Sequence, residues 1–254
     1  MAGSADITGR QNYVMGIGHP KTTPTTESSP VTVSTNSVNG VISFAAGGVT
    51  TYPVQNFTFS TLPAAASYQG MQCRVTDLNN ALFESNGIRW KPVNNCAVIA
   101  TLDTEFSMSG VTETIAFQKL LPAGLIRNGD RLRMRGTFGK SGTAETTTIT
   151  IRVGAAGTVA DTSLQSFALM ATTTVSYGLL NDFKRLSATT LRKLGNGSQG
   201  TPYGGGSTAA TVLPVTVSNL DSIAQFLSVN LQQSSTAETA TMYDFTLELV
   251  SSAS

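Results

Sequence analysis

Residues 130–154, DRLRMRGTFGKSGTAETTTITIRVG, alternate apolar and polar positions in two runs separated by a polar, glycine-containing stretch. Leu132, Met134 and Phe138 share one parity, and Arg131, Arg133 and Arg135 share the other. In the second run Ile149, Ile151 and Val153 alternate with Thr148, Thr150 and Arg152. A period of two means an extended chain with one buried face and one wet face. The pattern therefore predicts strands over 130–138 and 146–153, with a loop at 139–144. The wet face is threonine and arginine, with no acid, His or Cys set among them for chemistry. A working surface, not a pocket, is the expectation.

The same periodicity predicts further strands at 97–101, 114–121, 163–170, 212–217, 223–231 and 239–250. In the last, Tyr243, Phe245, Leu247 and Leu249 are expected to point one way, and Met242, Asp244, Thr246 and Glu248 the other. Asn128-Gly129 marks a turn, and residues 195–207 (GNGSQGTPYGGGS) read as a long flexible loop. Residues 180–194 fit a helix about as well as they fit a strand at 186–194. About eight strands with turns between them predict an all-β chain. Its C-terminal part, residues 96–254, is expected to be a two-sheet β-sandwich, jelly-roll-like.

Two different segments precede it. Residues 61–95 read as a small β module: Met71, Cys73 and Val75 alternate, Asn86-Gly87 signals a tight turn, and the lone Trp90 is expected to anchor a small core. Residues 1–60 read as an extended N-terminal arm. The stretch 21–37 is mostly Thr, Ser and Pro and cannot bury much surface. Tyr13, Val14, Met15, Ile17, Val41, Ile42 and Phe44 are the short apolar groups on it. They suit ordering against a partner groove, with Val41-Ile42 also compatible with an edge strand.

Composition sharpens this. Hydrophobic residues are 40% of the chain and charged residues only 12%, against about 25% in an average soluble domain. Hydroxyl and amide groups carry solubility instead. The net charge of +1 offers no global field for nucleic acid or an acidic membrane. No apolar run approaches the ~18 residues of a membrane helix, so membrane insertion is not expected. The N-terminus lacks a basic start followed by an apolar run, so synthesis and residence in a cytoplasm are expected. Cys73 and Cys96 make no disulfide framework; two half-buried free thiols are expected.

The residues Leu62-Pro63-Ala64, Gly70, Val75-Thr76-Asp77, Asn86-Gly87 and Trp90 fall in an order that resembles a segment recurring in bacteriophage tail fibres, tail spikes and related virion appendages. Leu121-Pro122-Ala123-Gly124-Leu125, Gly129-Asp130-Arg131-Leu132 and residues 148–154 are similar to pieces of phage fibre and decoration domains. The resemblance implies a phage virion structural protein, made in the bacterial host cytoplasm and carried in the virion. It implies a homotrimer, anchored on other virion proteins through the N-terminal arm and contacting a host surface glycan or protein. Attachment as a tail fibre, or as a capsid head fibre or decoration protein, is compatible with it. A soluble carbohydrate-binding module is the reading from a different class.

No catalytic constellation emerges. His19, the only histidine, lies on the arm without an orienting partner. One His and two separated Cys do not make a zinc site. Gly16-x-Gly18 and Gly204-Gly205-Gly206 lack the rest of a nucleotide-binding motif, so no cofactor is expected. Asp103-x-Glu105 and Asp244-x-Thr246-x-Glu248 read as solvated strand faces. Lys184-Arg185 and Arg192-Lys193, with Arg131, Arg133 and Arg135, would either meet anionic sugar or phosphate or pair with acids across a subunit boundary. Tyr68, Tyr177 and Tyr203 are candidate stacking aromatics. Tyr203 and Lys140, in the predicted loops 195–207 and 139–144, are the candidate host contacts.

Overall fold

The computed structural model describes residues 32–36, 40–46, 49–169, 174–194 and 214–252. The first three strands, β1 (Thr32–Thr35), β2 (Ile42–Ala46) and β3 (Val49–Thr51), form an antiparallel meander. Part of the segment expected to be an extended arm is thus folded. The Gln55 side-chain amide ties it down, receiving the Ile42 N–H at 3.0 Å and donating to the Ile42 carbonyl at 3.1 Å. The Asn36 amide also donates to the Tyr68 hydroxyl at 3.0 Å, and Tyr52 meets Tyr68 edge-on at 5.6 Å.

Next come β4 (Gln55–Phe57), β5 (Gln72–Val75), β6 (Ala81–Ser85) and β7 (Trp90–Pro92) in one sheet of that order, with β4 parallel to β5. This is the predicted module, except that its sheet starts at Gln55. Asn79 and Asn80 both take positive φ (57° and 54°) between β5 and β6, as a tight primed hairpin turn requires. The module's core is Met71, Cys73, Val75, Leu78 and Phe83, all fully buried. Trp90 is not the anchor. It is only half-buried, at the sheet's edge, and its indole N–H donates to the Pro63 carbonyl at 2.7 Å.

From Cys96 onward the chain forms two facing sheets. The strands are β8 (Cys96–Thr101), β9 (Phe106–Met108), β10 (Thr114–Leu121), β11 (Arg131–Ser141), β12 (Thr147–Gly154), β13 (Thr162–Ala168), β14 (Thr174–Ser187), β15 (Thr190–Leu194), β16 (Pro214–Thr216), β17 (Gln225–Gln233) and β18 (Thr239–Val250). The larger sheet runs β16-β15-β14-β11-β18-β8, with β9 paired to the far end of β18, and the smaller runs β10-β17-β12-β13. Setting aside β9 and the β15–β16 addition, eight strands remain as β14-β11-β18-β8 facing β10-β17-β12-β13. The chain changes sheets from β8 to β10, β10 to β11, β11 to β12, β13 to β14, β16 to β17 and β17 to β18. That is a double-sheet jelly roll. Residues 180–194, ambiguous by sequence, belong to the β14–β15 hairpin.

Alternation builds the core as anticipated. Leu132, Met134 and Phe138 of β11 meet Ile149, Ile151 and Val153 of β12 and Leu227, Val229 and Leu231 of β17 in one buried cluster. Phe117 and Phe245 bridge the sheets with ring centroids 4.6 Å apart. In β18 the alternation breaks. Phe138 pairs with Met242 and Thr137 with Asp244, so Tyr243 is the extra residue of a β-bulge. The bulge turns Met242 and Ala240 into the core and leaves Tyr243 exposed, opposite to the predicted parity. Its ring lies over Gly139, where a Cβ would come within 2.7 Å of Tyr243 Cε2. Among the described residues no helix is long and apolar enough to cross a membrane.

Module and sandwich are locked by a buried ion pair. Asp130, fully buried, receives Arg89 Nη1–H at 2.7 Å and Nη2–H at 3.0 Å. The Arg127 N–H (2.8 Å), the Ser252 N–H (2.7 Å) and the Ser252 hydroxyl (3.2 Å) donate to the same carboxylate. Lys119 adds a second tie, donating to the Asp77 carbonyl of the module at 2.5 Å. Replacing Asp130 by Ala leaves the Arg89 guanidinium buried without its counter-charge. The expected loss is about 3 kcal/mol or more of unfolding free energy, read from urea denaturation of the full chain.

The thiols differ from the expectation of two half-buried groups. Cys73 is fully buried and Cys96 exposed, and both are free. Burial pushes the Cys73 thiol up to about 12, which suppresses its thiolate. Alkylation of the native protein should label Cys96 alone, and alkylation in denaturant should label both. Intact mass reads the count, and a native product carrying two labels would contradict the buried position of Cys73.

Candidate functional site

The two outer faces of the jelly roll differ in chemistry. On the larger sheet the arginines of β11 stand opposite acids of the neighbouring strands. Arg133 Nε donates to Asp182 of β14 at 2.9 Å, and Arg131 lies 3.4 Å from the same carboxylate. Glu248 of β18 lies 3.7 Å from both Arg133 and Arg135. Acids of the same chain thus pair with these arginines.

At one end of this ladder the balance fails. Arg131 pairs in register with Lys184 of β14, and Lys184 with Arg192 of β15. Three cations therefore stand side by side on adjacent strands. Beside them lies a cleft of about 360 Å3, lined by Gly129, Arg131, Lys184, Leu194, Val250, Ser251 and Ser252. Ser252, one of the lining residues, also holds Asp130 through its N–H. The Arg192 Nε and the Ser251 hydroxyl are buried without a hydrogen-bond partner among the described residues.

The outer face of the smaller sheet is nearly uncharged. With Ile149, Ile151 and Val153 in the core, Thr148, Thr150 and Arg152 of β12 face out. Ser228, Asn230 and Gln232 of β17 pair with them in register on the same side, but Thr150, Ser228 and Asn230 are buried there and only Gln232 of the three β17 residues is exposed. Thr150 and Ser166 of β13 share a hydroxyl hydrogen bond at 3.1 Å. The one ion pair here is internal. Arg152 grips Glu113 through Nε at 2.7 Å and Nη2 at 2.8 Å, and Asn230 donates to the same carboxylate at 2.7 Å. Leu120 and Phe226 form an apolar end to this face, Leu120 exposed.

The sequence-predicted contacts fare unevenly. Lys140 is not a loop residue. It sits within β11 with its side chain fully buried, paired with the equally buried Glu238 and donating to the Glu145 carbonyl. Glu238 also accepts the Glu145 N–H at 2.9 Å. Lys140 therefore cannot touch a host surface. Its parity, shared with Leu132, Met134 and Phe138, is the signal that the loop reading overrode. Arg185 and Lys193 likewise turn inward. Arg185 Nη2 meets Asp221 at 2.6 Å, while burial lowers the Lys193 pKa. Val41 is buried and its carbonyl accepts the Asn36 N–H, so it is no docking contact; Ile42 is half-buried and Phe44 exposed. Tyr177 is a core residue 5.2 Å from Phe167. Asp103 and Glu105 are exposed in the link between β8 and β9, and no group of three or more metal-ligating side chains occurs among the described residues. Tyr13, Val14, Met15, Ile17, His19 and Tyr203 lie outside the described residues.

No family model, curated protein or solved structure matches the chain.

The Glu113–Arg152 pair makes the smaller face pH-sensitive. The Arg152 hydrogen bonds hold the Glu113 carboxyl below its ordinary value, against a partial opposing effect of burial. A depressed carboxyl contributes stability that is present above the unfolded value, about 4.3, and is lost as pH falls through the folded one. Glu113→Gln should therefore destabilise by about 1–2 kcal/mol at neutral pH. The gap should narrow as pH drops below about 4. Thermal or urea unfolding of both proteins from pH 7 to pH 3 measures it, and a pH-independent gap would contradict the assignment.

Proposed function

We propose that this protein is a non-enzymatic structural component of a bacteriophage virion, a homotrimeric appendage of tail-fibre type. The observation that carries this reading is the uncharged exposed part of the smaller sheet's outer face, Gln118, Ser166 and Gln232, beside Thr150, Ser228 and Asn230, which the chain itself already buries. Hydroxyl and amide groups backed by a rigid sheet can be covered by a second copy without stripping water from isolated charges, whose burial is costly. Leu120 and Phe226 supply apolar area at the end of that face. The order of motifs in residues 61–94, with its likeness to fibre segments, selects three copies. The buried Arg89–Asp130 lock suits an appendage, because it makes module and sandwich one rigid piece.

In this reading the particle contact lies N-terminal to β1, where Tyr13, Val14, Met15 and Ile17 fall. The meander of β1, β2 and β3 belongs to the folded body, so the informative truncation ends at residue 31. Light scattering of the full chain at micromolar concentration should give the mass of three chains. Gln232→Arg, which puts a charge on the exposed part of the smaller face, should yield folded monomer. Deletion of residues 1–31 should leave the trimer intact and abolish its incorporation into particles, read by mass spectrometry of purified virions. A stable wild-type monomer would overturn the trimer, and normal incorporation of the truncated protein would overturn the anchor. Recovery with capsids free of tails would move the protein to the head, as a fibre or decoration protein.

A further inference from the structure

The row Arg192–Lys184–Arg131 has no internal explanation. Directly opposed like charges on neighbouring strands repel, and the described chain does little to relieve them. Asp182 serves Arg131 but is shared with Arg133. Neither Lys184 nor Arg192 has a carboxylate within ion-pair distance among the described residues. Residues 195–213, which follow β15 in the chain, contain no Asp or Glu at all, and Asp6 and Glu27 are the only acids outside the described residues.

The other components point to what would relieve them. The adjoining cleft, about 360 Å3, falls within the ~300–1,000 Å3 range of small-ligand sites. Arg131 and Lys184 line it, and so do Ser251 and Ser252. Guanidinium and ammonium donors match the oxygens of a carboxylate or phosphate. Serine hydroxyls both donate and accept, as does a sugar hydroxyl. The Ser251 hydroxyl, buried and without a partner among the described residues, lies beside this space.

We propose that this cleft binds an oxyanion carried on a small polyhydroxylated ligand, a carboxylate- or phosphate-bearing sugar. Arg131, Lys184 and Arg192 neutralise the anion, and the Ser251 hydroxyl meets one of its hydroxyls. The inference stands independently of the virion assignment, since it rests on charge placement within one chain.

The test uses the full chain and isothermal titration calorimetry with glucuronate, glucose 6-phosphate and glucose at matched ionic strength. The double variant Lys184→Gln, Arg192→Gln removes two charges without orphaning a buried acid, and Arg74→Gln, on the exposed face of β5, controls for net charge. Circular dichroism and unfolding midpoints confirm that each variant is folded. Both acidic sugars should bind at least tenfold more tightly than glucose. The double variant should weaken them at least tenfold, with Arg74→Gln within twofold of the wild type. Equal binding of glucose and its acids would overturn the proposal. So would a double variant that binds like the wild type, or an Arg74→Gln loss matching that of the double variant.

Discussion

The carboxylate of Asp130 accepts five hydrogen bonds from three separated stretches of chain: two from Arg89, one from Arg127 and two from Ser252. A buried charge is tolerable only when its lone pairs are filled in this way. The residue stands immediately before β11, the strand flanked on both sides within the larger sheet. Near the other end of β11, the buried Lys140–Glu238 pair ties the strand to the turns at residues 142–146 and 234–238. The strand is thus held at both ends by buried ions. A slip of one residue would send every side chain of β11 to the wrong face. It would also move both charges away from their partners, a far larger penalty than mispacked methyl groups. The specificity of the jelly roll's register follows from this pair of constraints as much as from the apolar alternation between them.

The same hub joins two parts of the chain that sequence composition separates. Arg89 comes from the turn that leads into β7, Ser252 from beyond the last strand. Their meeting at Asp130 fixes the module against the end of the larger sheet, and the hydrophobic cluster runs on from Val75 and Phe83 into Ile99 and Leu249. With so few charges in the chain, placement matters more than number. Buried pairs sit at joints, the exposed ladder of β11 sits on one face, and the opposite face is left to hydroxyls and amides.

Much of this was legible in residue order. The bounds of β10 and β18 match the alternation, and the inward sets of β11, β12 and β17 are those a period of two selects. What escaped has identifiable causes. The Tyr243 bulge resets parity in mid-strand, and only Gly139 opposite hints at it. Lys140, Arg185 and Lys193 lie on apolar parities but were read as surface cations, because charge is a stronger prior for exposure than position in an alternation. The partners of Lys140 and Arg185, Glu238 and Asp221, are remote in sequence, which no local pattern reveals. The β14–β15 hairpin was obscured because apolar residues recur in 180–194 at spacings that suit either helix or strand. A lone tryptophan suggests a core anchor, but Trp90 stays half-buried while Phe83 is fully buried.

The row of cations raises the question of whether edge protection alone explains it. Lysines commonly guard exposed strand edges against stray pairing. In this sheet the edge beside the row is β16, only three residues long and opened by Pro214, which pairs in register with Arg192. A short strand bearing a proline already discourages further pairing, because proline offers no N–H. Arg192, Lys184 and Arg131 therefore occupy strands that are already paired on both sides, where edge protection has nothing to do. They also differ from the cations further along β11, since Arg133 and Arg135 face Glu248 across the strand boundary. Pairing along the ladder thins toward the cleft, where Arg131 shares Asp182 with Arg133 and neither Lys184 nor Arg192 has a carboxylate partner among the described residues. The unbalanced charge lies beside the cleft that Arg131 and Lys184 line.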